Sequence, residues 1–208
     1  MTLRDAVHRE TTAAVVFDLG EVLATPQDLF LRLAETAGAP AKRVERAYWA
    51  FRDDHDRGGS AEVFWTSVLS EVGAASEPGL VSRLTFLDAS AWVTLRPDAL
   101  EVFGLLAGSD VTVSILSNAP VELAAEARRQ EWAKYVDRWF FSGELQLAKP
   151  DARIYELVTE SVAVDRSKIL FFDDRQVNVD AALRAGWDAR LWTSGAETKS
   201  ILSGLNLI

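Results

Sequence analysis

The chain has 208 residues with no cysteine and only two histidines, which excludes disulfides, a thiolate zinc site and a cysteine nucleophile. Its formal charge of −9 argues against a nucleic-acid partner, because neutralising phosphates takes a basic face. No apolar run approaches the ~20 residues that span a bilayer, and residues 1–12 are polar rather than signal-like, so a cytoplasmic protein without a membrane partner is expected.

In chain order, residues 13–18 form a short apolar run rich in β-branched side chains that ends on a carboxylate, Asp18. An unbroken run of this kind reads as a strand buried on both faces of a parallel sheet. Chemistry in open α/β sheets sits just past the carboxyl ends of such strands. Gly20 then lets the backbone approach a ligand. Residues 1–12 read as a frayed lead-in.

From 26 to 94 the periodicity turns helical. One helix carries Leu29, Phe30, Leu33 and Ala37, and Gly38 and Pro40 end it. A second is expected over 40–54, and a third runs from an N-cap at Ser60 to Gly73. A fourth covers 77–88. Nothing in 26–94 reads as a strand, so the stretch is a helical insertion. Alternation then resumes, with helices at 97–107, 121–130, 151–162 and 178–185, and strands at 111–116, 138–141, 168–172 and 189–192. Strands alternating with helices imply right-handed crossovers and a Rossmann-like parallel sheet covered on both faces. Residues 202–208 form an apolar tail expected to dock on the core. The division is a core of 1–25 and 95–208 with an all-helical cap at 26–94.

Three of these strands end in polar groups: Asp18, then Ser117 and Asn118, then Asp173 and Asp174, while Lys149 opens a helix. Parallel strands deliver their carboxyl ends to one edge, so these residues should converge. Three carboxylates repel unless a cation sits among them, and a hard, oxygen-preferring ion such as Mg²⁺ suits them when phosphate is the other partner. Lys149 and Ser117 suit a tetrahedral anion, and a carboxylate facing a phosphate is a nucleophile. The competing reading makes Asp18 and the Asp173–Asp174 pair N-caps, and Lys149 a surface lysine.

The run from Phe17 to Leu23 resembles motif I of the haloacid dehalogenase-like superfamily. Leu116-Ser117-Asn118 is similar to its motif II, Lys149-Pro150-Asp151 to motif III, and Phe171-Phe172-Asp173-Asp174 with Asn178 to motif IV. The insertion sits where the helical C1 cap of that superfamily sits. The phrasing resembles the branch with small sugar-phosphate phosphatases and the N-terminal domain of soluble epoxide hydrolases. The resemblance implies a Mg²⁺-dependent hydrolase of small phosphomonoesters that works through an aspartyl phosphate, with a small phosphorylated metabolite as its partner. It implies Asp18 as nucleophile and metal ligand, with the Gly20 carbonyl, Asp174 and Asp173 completing the ligands. Leu19, Ser117, Asn118 and Lys149 would hold the phosphoryl group, Lys149 and Ser117 also serving catalysis, and Asn178 would order the motif IV loop.

One departure stands out. Phosphatases of the superfamily carry a second aspartate two positions after the nucleophile as general acid and base, and Gly20 occupies that place. Such help is worth ~10²–10⁴-fold, so a slow phosphatase, one borrowing an acid such as Glu21 or a cap residue, or a ligand-binding protein without useful turnover is expected. A 2-haloacid dehalogenase would also lack that aspartate, but without the Asp173–Asp174 pair. In the cap, Arg52, His55 and Arg57 are the candidates for substrate contact, and Trp49 and Trp65 the tryptophans to watch.

Overall fold

The computed structural model describes residues 12–208, so the lead-in at 1–11 and His8 lie outside the described residues. Strands β1 (Ala14–Phe17), β2 (Thr112–Ser117), β3 (Arg138–Phe141), β4 (Ile169–Asp173) and β5 (Asp188–Leu191) form one sheet in the order β3-β2-β1-β4-β5. Every pairing is parallel, and Phe17 registers with Ile115 on one side and Phe172 on the other. β1 is therefore central, and all four of its residues are buried, as its unbroken apolar run requires.

Alternation along the strands divides the core. Val15 and Phe17 face one side with Ile115 and Phe172, while Ala14 and Val16 face the other with Leu116 and Phe171. The second side is covered by α8 (Ala152–Val162) and α9 (Gln176–Arg184), through Ile154, Tyr155, Val158 and Val179. The first is covered by α5 (Pro97–Leu106), α6 (Val121–Ala127) and α10 (Gly195–Gly204), through Phe103, Leu123 and Leu202. The chain is thus an α/β protein with helices on both faces of a Rossmann-like sheet.

Between β1 and α5 run four helices: α1 (Leu29–Ala37), α2 (Ala41–Asp56), α3 (Ala61–Val72) and α4 (Leu80–Trp92). Gly38 and Gly73 close α1 and α3 with φ of 63° and 73°, the left-handed backbone that favours glycine at a helix end. Ser60 caps α3 by accepting from the Val63 amide at 3.3 Å. The four helices share one buried cluster with the first face of the sheet, Leu19, Leu23 and Val93 lying where the two meet. Arg96 ties the two crossings together. Its amide donates to Leu23 O at 3.0 Å and its Nη2 to Val22 O at 2.6 Å.

Several boundaries differ from expectation. The fourth helix starts at Leu80, after Gly79 at φ 77°, and runs on to Trp92 rather than stopping at 88. The stretch 121–130 is helical only to Ala127, and a 3₁₀ turn follows at Glu131–Tyr135. A four-residue helix, α7 (Ser142–Leu145), follows β3. The apolar tail does pack on the core, its first three residues ending α10, which Ser194 caps by accepting from the Glu197 amide at 3.2 Å. No helix among the described residues is long and apolar enough to cross a membrane.

Candidate active site

β1, β2 and β4 end at the same edge, and residues at or just past their ends, Asp18, Ser117 and Asp174, line one cavity of about 180 Å³ together with Lys149 from the loop that opens α8. Asp18 follows β1 directly, and residues 19–24 then close into a tight loop in which the Glu21 amide donates to Ala24 O at 2.8 Å. The next helix begins ten residues further on with Asp28 at its cap, so Asp18 is not a capping residue. Asp173 ends β4 and accepts the Arg175 amide at 2.9 Å through Oδ1.

Lys149 is the hub. It is 2 % exposed, its Nζ lying 3.0 Å from Asp18 Oδ2 and 2.6 Å from Asp173 Oδ2. A surface lysine it is not. Burial pulls its ammonium down, and Asp18 and Asp173 more than offset that, so its pKa is raised. The Lys149–Pro150 peptide is cis. Asn118 fixes the backbone at Lys149 in both directions, donating from Nδ2 to Lys149 O and accepting the Lys149 amide at Oδ1, each at 2.9 Å. Its side chain is thus committed to placing the lysine. Asn178 holds Asp173 from the far side, Nδ2 lying 2.9 and 3.1 Å from the two carboxylate oxygens. The Leu19 amide donates to Asp18 Oδ1 at 2.7 Å.

The electrostatics favour a further cation. Asp18, Asp173 and Asp174 each offer an oxygen within 4.8 Å of one another, against a single ammonium. Burial pushes Asp18 up to about 7, with Asp173 adding to the rise and Lys149 and Ser117 pulling against it. Asp174 is also raised, by burial first and then by Asp173. The Asn178 Oδ1 is buried with no partner among the described residues, an acceptor suited to a donor such as a hydrated ion. The donor set is all oxygen, which suits a hard divalent cation such as Mg²⁺; Asp18, Asp173 and Asp174 could hold it, with the Gly20 carbonyl as the further ligand expected from sequence.

The cavity brings together Asp18, Leu19, Gly20, Glu21, Ser117, Asn118, Lys149, Asp174 and Asn178 of the residues expected from sequence, while Asp173 stands behind Lys149. Glu21 takes a left-handed backbone, φ 58°, which few non-glycine residues adopt. From α2 and its end, Arg52 lines the cavity, and His55 and Arg57 do not. His55 is buried on the side of α2 that approaches α6, its Nε2 3.8 Å from Glu122 Oε2; it stacks on Phe64 with ring centroids 4.5 Å apart, its Nδ1 2.8 Å from Gly59 O. Burial lowers its pKa. Arg57 pairs with Asp53 on the same exposed helix end, a solvated terminus. Trp65 is fully buried away from the cavity, whereas Trp49 lines it.

Trp92, Leu123 and Arg175 also line the cavity, and sequence reasoning passed over them. Trp92 stands closest to the missing aspartate. A Cβ built on Gly20 would lie 3.3 Å from its ring. The available signal was the true end of α4, which carries Trp92 to the point where the chain returns to the core.

A family model for haloacid dehalogenase-like hydrolases matches residues 12–186. The chain belongs to this family. Among haloacid dehalogenase-like relatives, a phosphorylated carbohydrates phosphatase of Thermotoga maritima is 31% identical over 92 residues, 44% of this chain and 43% of that protein. An (S)-2-haloacid dehalogenase of a Pseudomonas species is 27% identical over 121 residues, 58% of this chain and 52% of its own length. The chain thus spans about half the length of these two relatives. A haloacid dehalogenase-like enzyme of Bacteroides thetaiotaomicron, crystallised with magnesium and inorganic phosphate, has the same fold at a TM-score of 0.70. It is 18% identical, and the alignment covers 88% of this chain and 96% of that one.

Proposed function

We propose that this hydrolase is Mg²⁺-dependent and acts on small phosphomonoesters. The observation that carries the reading is the convergence of Asp18, Asp173 and Asp174 around buried Lys149 at one end of the sheet. The Thermotoga relative, a phosphatase of phosphorylated carbohydrates, supports it too. Bound Mg²⁺ would supply the positive charge that lets three carboxylates and a phosphate share this space. The chain's own residues do the rest. Asp18 attacks phosphorus as the ester P–O bond breaks, the departing oxygen takes a proton from water, and a second water then cleaves the aspartyl phosphate to release inorganic phosphate and restore the Asp18 carboxylate. Lys149 holds Asp18 in place and offsets the charge gathering at its carboxylate. Ser117 faces the same carboxylate and can donate to a phosphoryl oxygen.

The test is hydrolysis of a panel of small phosphomonoesters with Mg²⁺ and with EDTA. Turnover with Mg²⁺ that falls to background in EDTA is expected. Activity on 2-haloacids that is indifferent to EDTA would replace this reading with a dehalogenase.

A second reading, ligand binding with little turnover, is favoured by Gly20 and by the Trp92 ring beside it. Restoring the carboxylate discriminates. A proton donor at this position is worth ~10²–10⁴-fold, while crowding against Trp92 costs part of that, since overpacking is destabilising by ~1–3 kcal/mol. Gly20→Asp is therefore expected to raise kcat by about tenfold or more, with the Mg²⁺ requirement unchanged. Activity found only in Gly20→Asp would favour the binding reading for the natural chain.

A further inference from the structure

The cavity has two chemically different sides. Asp18, Ser117, Lys149 and Asp174 form the polar one, and Trp49 and Arg52 of α2 face it with Trp92 of α4. Trp49 is 51 % exposed, and its ring meets Tyr48, Phe30 and Trp92 edge-on at centroid distances of 4.9, 6.0 and 6.4 Å. The indole is thus fixed by an aromatic cluster, and it lines the cavity with about half of its surface still open. Such a surface takes an apolar face, whether an aryl ring or the C–H face of a sugar.

Arg52 is the cation on this side, and its charge is already met. Its Nε donates to Asp56 Oδ1 at 2.5 Å and its Nη1 to Asp88 Oδ2 at 3.1 Å. Asp88 also accepts from the Tyr48 hydroxyl at 2.8 Å, and that hydroxyl accepts from Trp92 Nε1 at 3.1 Å. The network locks the guanidinium, with its centre 5.0 Å from the Tyr48 ring centroid. Nη2 makes no hydrogen bond among the described residues, so Arg52 can donate to a neutral oxygen. A second anion placed there would meet two carboxylates, buried Asp88 and partly buried Asp56, for one guanidinium, and like charges brought together across a contact cost several kcal/mol.

We infer that the cap side of this cavity selects phosphomonoesters whose leaving group is uncharged and lays an apolar face on Trp49, and disfavours those carrying a second phosphate or carboxylate. The inference rests on the phosphomonoester reading for the polar side. Selection comes from the Asp56–Arg52–Asp88 network as much as from the indole.

The test compares kcat/KM with Mg²⁺ for phenyl phosphate and glucose 6-phosphate against 2-phosphoglycolate and fructose 1,6-bisphosphate. The two neutral leaving groups separate an aryl from a sugar face. At least about a tenfold preference for a neutral leaving group is expected, a 1.4 kcal/mol difference; equal or better turnover of the anionic substrates would overturn the inference. Trp49→Ala should raise KM for the preferred ester about tenfold with kcat little changed, since aromatic contacts of this kind are worth ~0.5–1.5 kcal/mol beyond their area. Trp49→Phe should restore most of it. An unchanged KM would show that Trp49 only packs, and would overturn its role. Calorimetry on Asp18→Asn with Mg²⁺ repeats the ranking without turnover. Preferential binding of neutral esters by that variant, with no hydrolysis by the natural chain, would sink the phosphatase reading and leave the selectivity standing. An active natural chain that prefers 2-phosphoglycolate would do the reverse.

Discussion

Replacing Asp18 with Asn is expected to remove turnover, by roughly 10⁴-fold or more, without unfolding the protein; removal of a nucleophile in a well-studied hydrolase costs roughly 10⁶-fold in kcat. The amide is nearly isosteric with the carboxylate and cannot form the aspartyl phosphate. Its oxygen can still accept from the Leu19 amide, which lies 2.7 Å from Asp18 Oδ1. Lys149 keeps its second partner, Asp173, at 2.6 Å. Stability should follow the opposite course from activity. The folded state raises Asp18 from 3.8 to about 7, chiefly by burial, so folding favours the protonated form. The stability held at low pH is lost as pH rises from 3.8 through about 7. Above that, the ionised carboxylate is a cost that asparagine lacks. Thermal melts at pH 8 in EDTA should therefore place the Asn variant level with or above the natural chain. Retained phosphatase activity in Asp18→Asn would exclude Asp18 as the nucleophile, and a large drop in the metal-free melting temperature would contradict the burial argument.

Much of this geometry was legible because it depends on chain-local rules. A short apolar run rich in β-branched residues that ends on Asp18 reads as a buried strand delivering its carboxylate to the sheet edge, and three such runs in a parallel sheet bring their ends together. Gly38 and Gly73 mark helix ends because glycine takes the left-handed backbone there without strain. The α10 start was equally legible and overlooked: Ser194 followed three residues later by Glu197 is a capping-box spacing, hidden by the glycine at 195. What could not be read is pairing across the fold. Arg52, His55 and Arg57 lie within six positions at one helix end, and the sequence alone does not say which looks into the cavity. That is decided by Asp88, 36 residues away, which draws Arg52 inward, and by Phe64, which takes His55 into a stack. The role of Trp92 is hidden for the same reason, since its approach to Gly20 joins the end of α4 to the loop that follows β1.

Lys149→Met should lose stability and activity together, and the way Mg²⁺ acts on each separates the two roles of the lysine. Methionine fills similar volume without the charge, leaving Asp18 and Asp173 as buried carboxylates whose shared cation is gone. Removing one partner of a buried ion pair typically costs ~3–5 kcal/mol. For a chain of this length each kcal/mol is worth ~2–4 °C, so a fall in melting temperature of about 10 °C or more is expected. Asn178 softens the loss at Asp173, where its Nδ2 donates to both oxygens, while Asp18 keeps only the Leu19 amide and the Ser117 hydroxyl, neither of them a cation. Mg²⁺ should raise the melting temperature of the variant more than that of the natural chain, because the ion then relieves a repulsion that the lysine no longer screens. Turnover should stay absent in Mg²⁺ all the same, since the ion binds beside the carboxylates and does not reproduce the ammonium 3.0 Å from Asp18 Oδ2. Full activity in Lys149→Met would mean that the lysine serves the fold alone. A melting temperature indifferent to Mg²⁺ in both proteins would mean that the three carboxylates do not hold the ion at all.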